Sequence, residues 1–292
     1  MSKITSSEYG TESNAEILET TPEPDDELSY KEELLSQKES TAQEASLDMS
    51  YAGWEVAVAN IASLENDEYA LKRREGLGGS DASVVLGVNP YKTVDELIAE
   101  KARDNLTAEE KAIGNKTAVR KGRDLEPLII KKWGDYFNMP IYKPVDMYYC
   151  KEFPYLRMNF DGITGKTNAY IPVEIKVVTA AGQRHYNTSK SIFDDATMLM
   201  RPIPEDITQS NNSIAYKAAH YGIPPYYYTQ LQQEMMASGA PYGYLATLHD
   251  TSWTFYTYFV HRDIKVQNAI ITEGWRTWNK VCKINPARIH NG

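Results

Sequence analysis

The chain has 292 residues, enough for one large domain or two small ones, with the mixed apolar and charged composition of a globular protein. Its net charge of −9 is unevenly spread: residues 1–50 hold 13 acidic and 3 basic residues, leaving 27 acidic and 28 basic residues in the rest. No apolar run approaches the roughly 20 residues that a membrane span needs. The two cysteines, Cys150 and Cys282, are too few for a disulfide framework or a four-cysteine metal cluster, and the start lacks a basic, apolar leader pattern. A reduced, cytoplasmic setting is therefore expected.

Residues 1–50 read as a disordered acidic tail, rich in Ser, Thr and Glu and without Trp or Phe. Such a segment buries too little apolar surface to offset its ordering entropy. Within it, Leu28 to Leu35 is amphipathic enough to become helical on a partner. Residues 51–292 then form the folded domain. Trp54, Val58, Ile61 and Leu64 recur at helical spacing, which predicts one or two helices over Tyr51–Leu71. Gly76, Gly78 and Gly79 make a turn, and Ser80 is placed to cap a short helix ending at Gly87. Thr93 and Glu96 form a capping box for a helix from Val94 to about Arg103. Residues 104–116 read as a loop or broken helix. The next helix is expected to open at Asp124, with Pro127 in its first turn, where the missing N–H is harmless. Its buried stripe is Leu125, Leu128, Ile129 and Trp133, with Glu126 beside it.

The stretch YLRMNFDGITGKTNAYIPVEIKVV, from Tyr155 to Val178, predicts a hairpin. Side chains alternate along a strand, so Val173, Ile175 and Val177 face a core while Glu174 and Lys176 face the other way. On the preceding strand, Arg157, Asn159 and Asp161 share a face. Pairing around the TGKTNA turn brings Asp161 to Glu174. Two close carboxylates and the Ile175 carbonyl make a hard oxygen site suited to Mg²⁺ or Mn²⁺. Such a metal can activate water at a phosphodiester, and Lys176 is placed to orient that water or stabilise the transition state. Glu–x–Lys alone more often means a solvated strand; the interleaved apolar residues and Asp161-Gly162, thirteen residues upstream of Glu174, give it weight.

Residues 183–225 are polar and weakly periodic, and read as a long loop or inserted subregion. Its His185 and His220 are the kind of lone histidines that are more often structural than ligands. Tyr226–Ser238 reads as a helix stopped by Gly239, and the Tyr226–Tyr228 run can stack on bases of a single strand, with at least one of the three expected in the core. Strands Tyr242–Leu248 and Trp253–His261 follow. A last helix starts at Ile264, with Ile271, Trp275, Trp278 and Cys282 on one face.

Asp161, Glu174 and Lys176 fill the three signature positions of the pattern that names the PD-(D/E)XK nuclease superfamily, which the chain resembles. More narrowly, GLGGSDASVVLGVNPYKT, KGRDLEPLIIKKW, YLRMNFDGI and TQLQQEMMASG resemble, in order, segments of the YqaJ-like exonuclease family, which includes phage lambda-type exonucleases. The resemblance implies an α/β (α+β) fold with a restriction-endonuclease-like core, a central mixed sheet flanked by helices. It implies that Asp161, Glu174, the Ile175 carbonyl and Glu126 hold Mg²⁺ (or Mn²⁺), that Lys176 is the catalytic lysine, and that Gln230, with Gln232 as second candidate, supports the site. It implies that Ser80 and Arg73, or failing it Arg74, grip a 5′-phosphate. The expected activity is 5′-to-3′ digestion of one strand from double-stranded DNA ends in recombination. A single-strand annealing protein as partner, a ring-shaped trimer and, for a phage-encoded chain, the bacterial host cytoplasm are implied with it. The rivals are an endonuclease or nickase on the same core and a non-catalytic module binding DNA or a host protein.

Overall fold

The computed structural model describes residues 43–113, 116–166 and 169–289. The chain divides into two units, Met1–Lys38 and Glu39–Gly292, and every described residue belongs to the second. Most of the expected acidic tail, with its Leu28–Leu35 segment, lies outside the described residues.

Strand β1 is Gln43–Ala45 and β2 is Trp54–Val58. Helices α1 (Asn66–Lys72), α2 (Ala82–Val85), α3 (Val94–Ala102), α4 (Ala108–Ile113) and α5 (Thr117–Phe137) follow. Next come β3 (Ile141–Pro144), β4 (Met147–Cys150), β5 (Arg157–Met158), β6 (Ile163–Lys166) and β7 (Ala169–Val178). A one-turn helix α6 (Ala180–Gln183) leads to β8 (Phe193–Asp194) and β9 (Leu199–Met200). Helices α7 (Ile214–Tyr221) and α8 (Pro225–Ser238) precede β10 (Tyr242–His249), β11 (Thr254–His261) and α9 (Ile264–Ile284).

The main sheet has the order β1-β3-β6-β7-β10-β11-β8-β9. It is mixed: β1 runs parallel to β3 and β7 parallel to β10, while the remaining pairs are antiparallel. A smaller sheet, β2-β4-β5, stands beside it. Alternation along β10 sends Tyr244 to one face and Gly243 and Leu245 to the other. On the Tyr244 side lies α5, where Trp133 stacks on Phe137 at 4.7 Å and meets Tyr244 at 5.3 Å. On the other side lies α8, whose Leu231 packs against Gly243. Complete burial of Trp133 removes on the order of 200 Å² from water, roughly 5 kcal/mol of driving force.

Several elements depart from the sequence reading, each for a local reason. Residues 43–50 belong to the folded body, because β1 docks on β3 and Met49 is buried. The expected helix over Tyr51–Leu71 is mostly absent: Trp54–Val58 pairs with β4 as a strand, and only Asn66–Lys72 is α-helical. Pairing with β4 overrode the local spacing. Helix α5 starts at Thr117 rather than Asp124, so Asp124 caps nothing and Pro127 lies inside the helix. Arg157–Met158 joins the small sheet, so the preceding strand of the expected hairpin is broken before Asp161. In α9 the buried face runs through Val266, Ile270, Gly274, Trp278 and Val281, leaving Trp275 54% exposed. Residues 183–225 are not a plain loop: β8 and β9 extend the sheet edge, and α7 is tied down by the buried Lys217–Asp263 ion pair at 2.7 Å. The Thr93–Glu96 capping box forms as expected, with Thr93 N–H donating to Glu96 at 2.7 Å.

Candidate active site

The site forms where β7 lacks a neighbour. Strand β6 pairs with β7 only over Ala169–Pro172, while β10 takes the other edge from Val173 to Val178. Beyond Pro172 the β6-side edge of β7 is therefore left without a strand. Val173 N–H donates to the Gly162 carbonyl at 2.9 Å, and Ile175 N–H donates to Asp161 Oδ2 at 3.1 Å. The bend after Phe160 lets Asp161 take the place of the missing strand, and its carboxylate does what a backbone carbonyl would do in a sheet. Gly162 fits because a Cβ there would come within 2.8 Å of Ile141 Cδ1. The Ile175 carbonyl points out along the same edge, and Lys176 Nζ donates to it at 2.9 Å. Lys176 Nζ also donates to Asp161 Oδ2 at 3.0 Å and forms an ion pair with Glu174. Three oxygens of three different groups thus converge on one cationic nitrogen.

Helix α8 closes the site from its face of the sheet. Gln230 Nε2 donates to Glu174 Oε1 at 2.5 Å and to Glu234 Oε1 at 3.1 Å. Glu234 lies one helical turn beyond Gln230, on the same helix face, and is 1% exposed. Gln232 and Gln233 turn elsewhere. Gln232 bonds His261 and Asp263, and Gln233 bonds the carbonyls of Leu77 and Arg157, so Gln232 is not a site residue.

The electrostatics follow from burial and charge together. Burial, then the charge of Asp161, pushes the Glu174 carboxyl up to about 7. Burial, then Glu174, holds Glu234 well above the usual carboxylate range. Burial works against ionisation of Asp161, but the Lys176 ammonium outweighs it and holds that carboxyl below its ordinary value. Burial also works against the charge on Lys176, but Asp161 and Glu174 outweigh it and raise that pKa well above normal.

Glu126 comes from α5, on the other face of the sheet, and lines the same cleft as Asp161 and Lys176. Burial, then Asp161, raises its pKa, and Lys143 Nζ donates to it at 2.5 Å. Among the described residues no three His, Cys, Asp or Glu side chains stand close enough together to hold a metal ion. The reasons are visible: one of the converging oxygens is a backbone carbonyl, and Glu126 is turned to Lys143. The donor set still fits a divalent cation. It is all oxygen, as Mg²⁺ prefers.

The cleft has a volume of about 570 Å³ and runs from Lys176, Asp161 and Gln230 to Arg73, Ser80 and Arg123. At that far end Arg73 Nη2 donates to Ser80 Oγ at 3.1 Å. Ser80 does not cap the helix as expected. Asp81 stands at the N-cap position of α2 without a side-chain cap bond; its carboxylate instead accepts Gly78 N–H at 2.9 Å, and Lys101 holds Asp81 in turn at 2.7 Å. The Ser80 hydroxyl is thereby left facing Arg73 and the cleft. Arg74, the second candidate, is buried against Glu110 at 2.7 Å and bonds the carbonyls of Arg103 and Asn105. It supports this wall from behind. His185 is exposed beside Arg184, and His220 Nε2 contacts the Glu205 carbonyl; neither lines the cleft.

The structure brings Asp161, Ile175, Lys176, Glu126, Gln230, Arg73 and Ser80 to one cleft, with Glu174 buried behind Lys176. Asn159, read in the sequence only as sharing a face with Asp161, lines it too. Glu234 and Arg123 were not singled out; the signal for Glu234 was its place four residues after Gln230 on one helix face, and Arg123 had none.

Asp161 and Glu174–x–Lys176 thus stand at an open strand edge of a mixed α/β domain, its sheet flanked by helices. Residues 68–241, more than half of the chain, match the YqaJ-like viral recombinase domain, and the chain belongs to that family. A 44-residue stretch is 46% identical to the uncharacterised protein YqaJ of Bacillus subtilis (strain 168) and covers 15% of this chain but only 14% of that relative. Among solved structures, LHK-Exo in complex with dAMP aligns with a TM-score of 0.48 and 16% identity, over 75% of this chain and 94% of that one. The alkaline exonuclease LHK-Exo from Laribacter hongkongensis gives 0.46 and 15%, over 73% and 91%. A phage-related exonuclease from Haemophilus somnus 129PT gives 0.41 and 14%, over 72% and 94%. No helix among the described residues is long and apolar enough to cross a membrane.

Proposed function

We propose that the chain is a metal-dependent deoxyribonuclease that degrades one strand of a duplex from its 5′-phosphorylated end. The observation that carries this reading is the convergence of Asp161 Oδ2, Glu174 and the Ile175 carbonyl on Lys176 Nζ, at one end of a cleft whose other end is Arg73 and Ser80. Membership of a viral recombinase family supports it.

In this reading Asp161, Glu174 and the Ile175 carbonyl hold Mg²⁺ or Mn²⁺, with Glu126 reaching in from α5. The bound ion supplies Lewis-acid activation of water and neutralises charge on the phosphodiester. Lys176, released from its carboxylates, donates to the attacking water or to a non-bridging phosphate oxygen. Gln230 holds Glu174 in place through its side-chain amide. Glu234, whose carboxyl burial and Glu174 hold well above the usual range, accepts from the same Gln230 amide and so helps fix it. Arg73 and Ser80 present a charge-assisted donor pair to a terminal phosphate. The proposal extends to duplex ends as substrate, an annealing protein as partner, a ring-shaped trimer and a bacterial cytoplasm as setting.

The test is digestion of end-labelled linear duplex and of closed circular duplex, with Mg²⁺ or with EDTA, and with or without a 5′-phosphate. Metal-dependent release of nucleotides from the phosphorylated 5′ end, with the circle intact, is expected. Cutting of the circle overturns the exonuclease reading in favour of an endonuclease. Absence of metal-dependent cleavage of either DNA overturns the nuclease reading itself.

A further inference from the structure

Beside the candidate active site runs a row of tyrosines that the chemistry above does not use. Tyr227 lies over Lys176, with Nζ 5.6 Å from the ring centroid, and lines the cleft. Tyr226 meets Tyr227 at 4.5 Å, and Tyr91 meets Tyr226 at 5.8 Å, both edge to face. Tyr91 is 73% exposed, the highest value among the exposed large apolar and aromatic residues. Tyr228, the third of the run, plays no part: it is buried, and its hydroxyl donates to Asp263 at 2.9 Å.

An exposed ring at a loop is ordinarily mobile, but this one is held. Asn89 Oδ1 accepts the N–H of Tyr91 at 2.8 Å and that of Lys92 at 3.1 Å, and Asn89 Nδ2 donates to Ser83 Oγ at 2.8 Å. Ser83 Oγ in turn donates to the Ser80 carbonyl at 3.0 Å. The loop bearing Tyr91 is thereby fixed to the same turn that carries Ser80. Arg73 and Arg123 line both this cleft and the adjoining hollow, where Lys92 is paired with Glu100 at 2.5 Å, so two guanidinium groups and an aromatic row flank the way to Lys176.

Under the nuclease reading, which this inference rests on, the strand to be cut reaches Lys176 past Tyr227, which lines the same cleft. Bases that leave their partner strand there need a surface to replace the stacking they lose, and aromatic side chains supply one regardless of sequence. We propose that Tyr91, Tyr226 and Tyr227 form a stacking platform for the bases of the strand that enters the cleft, and that they hold the terminal base pairs of the duplex open while Arg73 and Arg123 track the backbone.

The test compares the full chain and its Tyr91→Ala, Tyr91→Phe and Tyr226→Ala variants on 5′-phosphorylated duplexes with a blunt end or with three terminal mismatches. Each alanine variant is expected to lose roughly tenfold or more in kcat/KM on the blunt end and less than threefold on the mismatched end. Tyr91→Phe, which keeps the ring, follows the wild type on both. A second readout needs no catalysis: in EDTA, 2-aminopurine at the penultimate position of a single-stranded oligonucleotide is quenched on binding wild type and Tyr91→Phe, but not Tyr91→Ala. Equal loss on both ends, no loss on either, or quenching that survives Tyr91→Ala overturns the platform. Wild-type quenching without any cleavage overturns the nuclease reading and leaves the platform standing.

Discussion

The buried carboxyl of Glu174 makes a prediction that separates stability from catalysis. Glu174 is 1% exposed, and burial with the neighbouring charge of Asp161 moves its carboxyl from an ordinary 4.5 to about 7. The sign follows from proton counting. Between those two values the folded chain holds a proton that the unfolded chain has released, so stability present below pH 4.5 is lost as pH rises towards 7. At about 1.4 kcal/mol per pH unit, this costs roughly 3 kcal/mol at pH 8 and under about 1 kcal/mol at pH 5. Glu174→Gln keeps the shape and cannot ionise. Relative to this variant, the metal-free wild type is expected to lose about 2–3 kcal/mol between pH 5 and pH 8. Urea unfolding of both proteins in EDTA at the two pH values measures it. A wild-type-minus-variant difference that stays the same at both values would refute the argument, because Glu174 would then ionise as freely folded as unfolded. The same variant is expected to lose metal-dependent cleavage at either pH.

Lys176→Ala is expected to lower cleavage roughly 10²- to 10³-fold, and to enlarge the rise in melting temperature on adding Mg²⁺, because Asp161 and Glu174 then face each other without the ammonium; an unchanged rise would count against the converging-oxygen picture. Arg73→Ala and Ser80→Ala are expected to erase the advantage of a 5′-phosphorylated end, roughly tenfold or more for a charge-assisted contact, while Arg74→Ala lowers stability instead; rates on phosphorylated and unphosphorylated ends give the comparison. Lys217→Ala leaves the Asp263 charge buried without its 2.7 Å partner and is expected to cost about 3–5 kcal/mol, read by chemical denaturation.

The site was more legible than the fold around it. Glu174–x–Lys176 alone reads more readily as a solvated strand; the interleaved Val173, Ile175 and Val177, and Asp161-Gly162 upstream, are what set it apart. Gln230 and Glu126 were found through resemblance, since an isolated helix-surface residue carries little meaning alone. The helix assigned to Tyr51–Leu71 failed because its spacing fitted two periods and only β4, some ninety residues away, decided between them. The start of α5 was misplaced because Asp124-Leu-Glu-Pro127 has the look of a helix opening, while the true first turn, after Lys116, has no side-chain cap to mark it. Arg74 stood as the fallback to Arg73 in the sequence; the one-residue rotation that buries it against Glu110 is a property of the packed turn.

The incomplete pairing of β7 has a consequence for what else can add to the sheet. An open strand edge invites another chain to add to it, and this one lies in the middle of the sheet order with no way to be trimmed short. Asp161 serves as its stopper: a charged, inward-turned group that occupies the Ile175 N–H an invading strand would seek. The carboxylate proposed to hold the catalytic ion is thus also a guard against aggregation. Asp161→Ala should be harder to keep in solution than Glu174→Gln, although both are expected to be inactive.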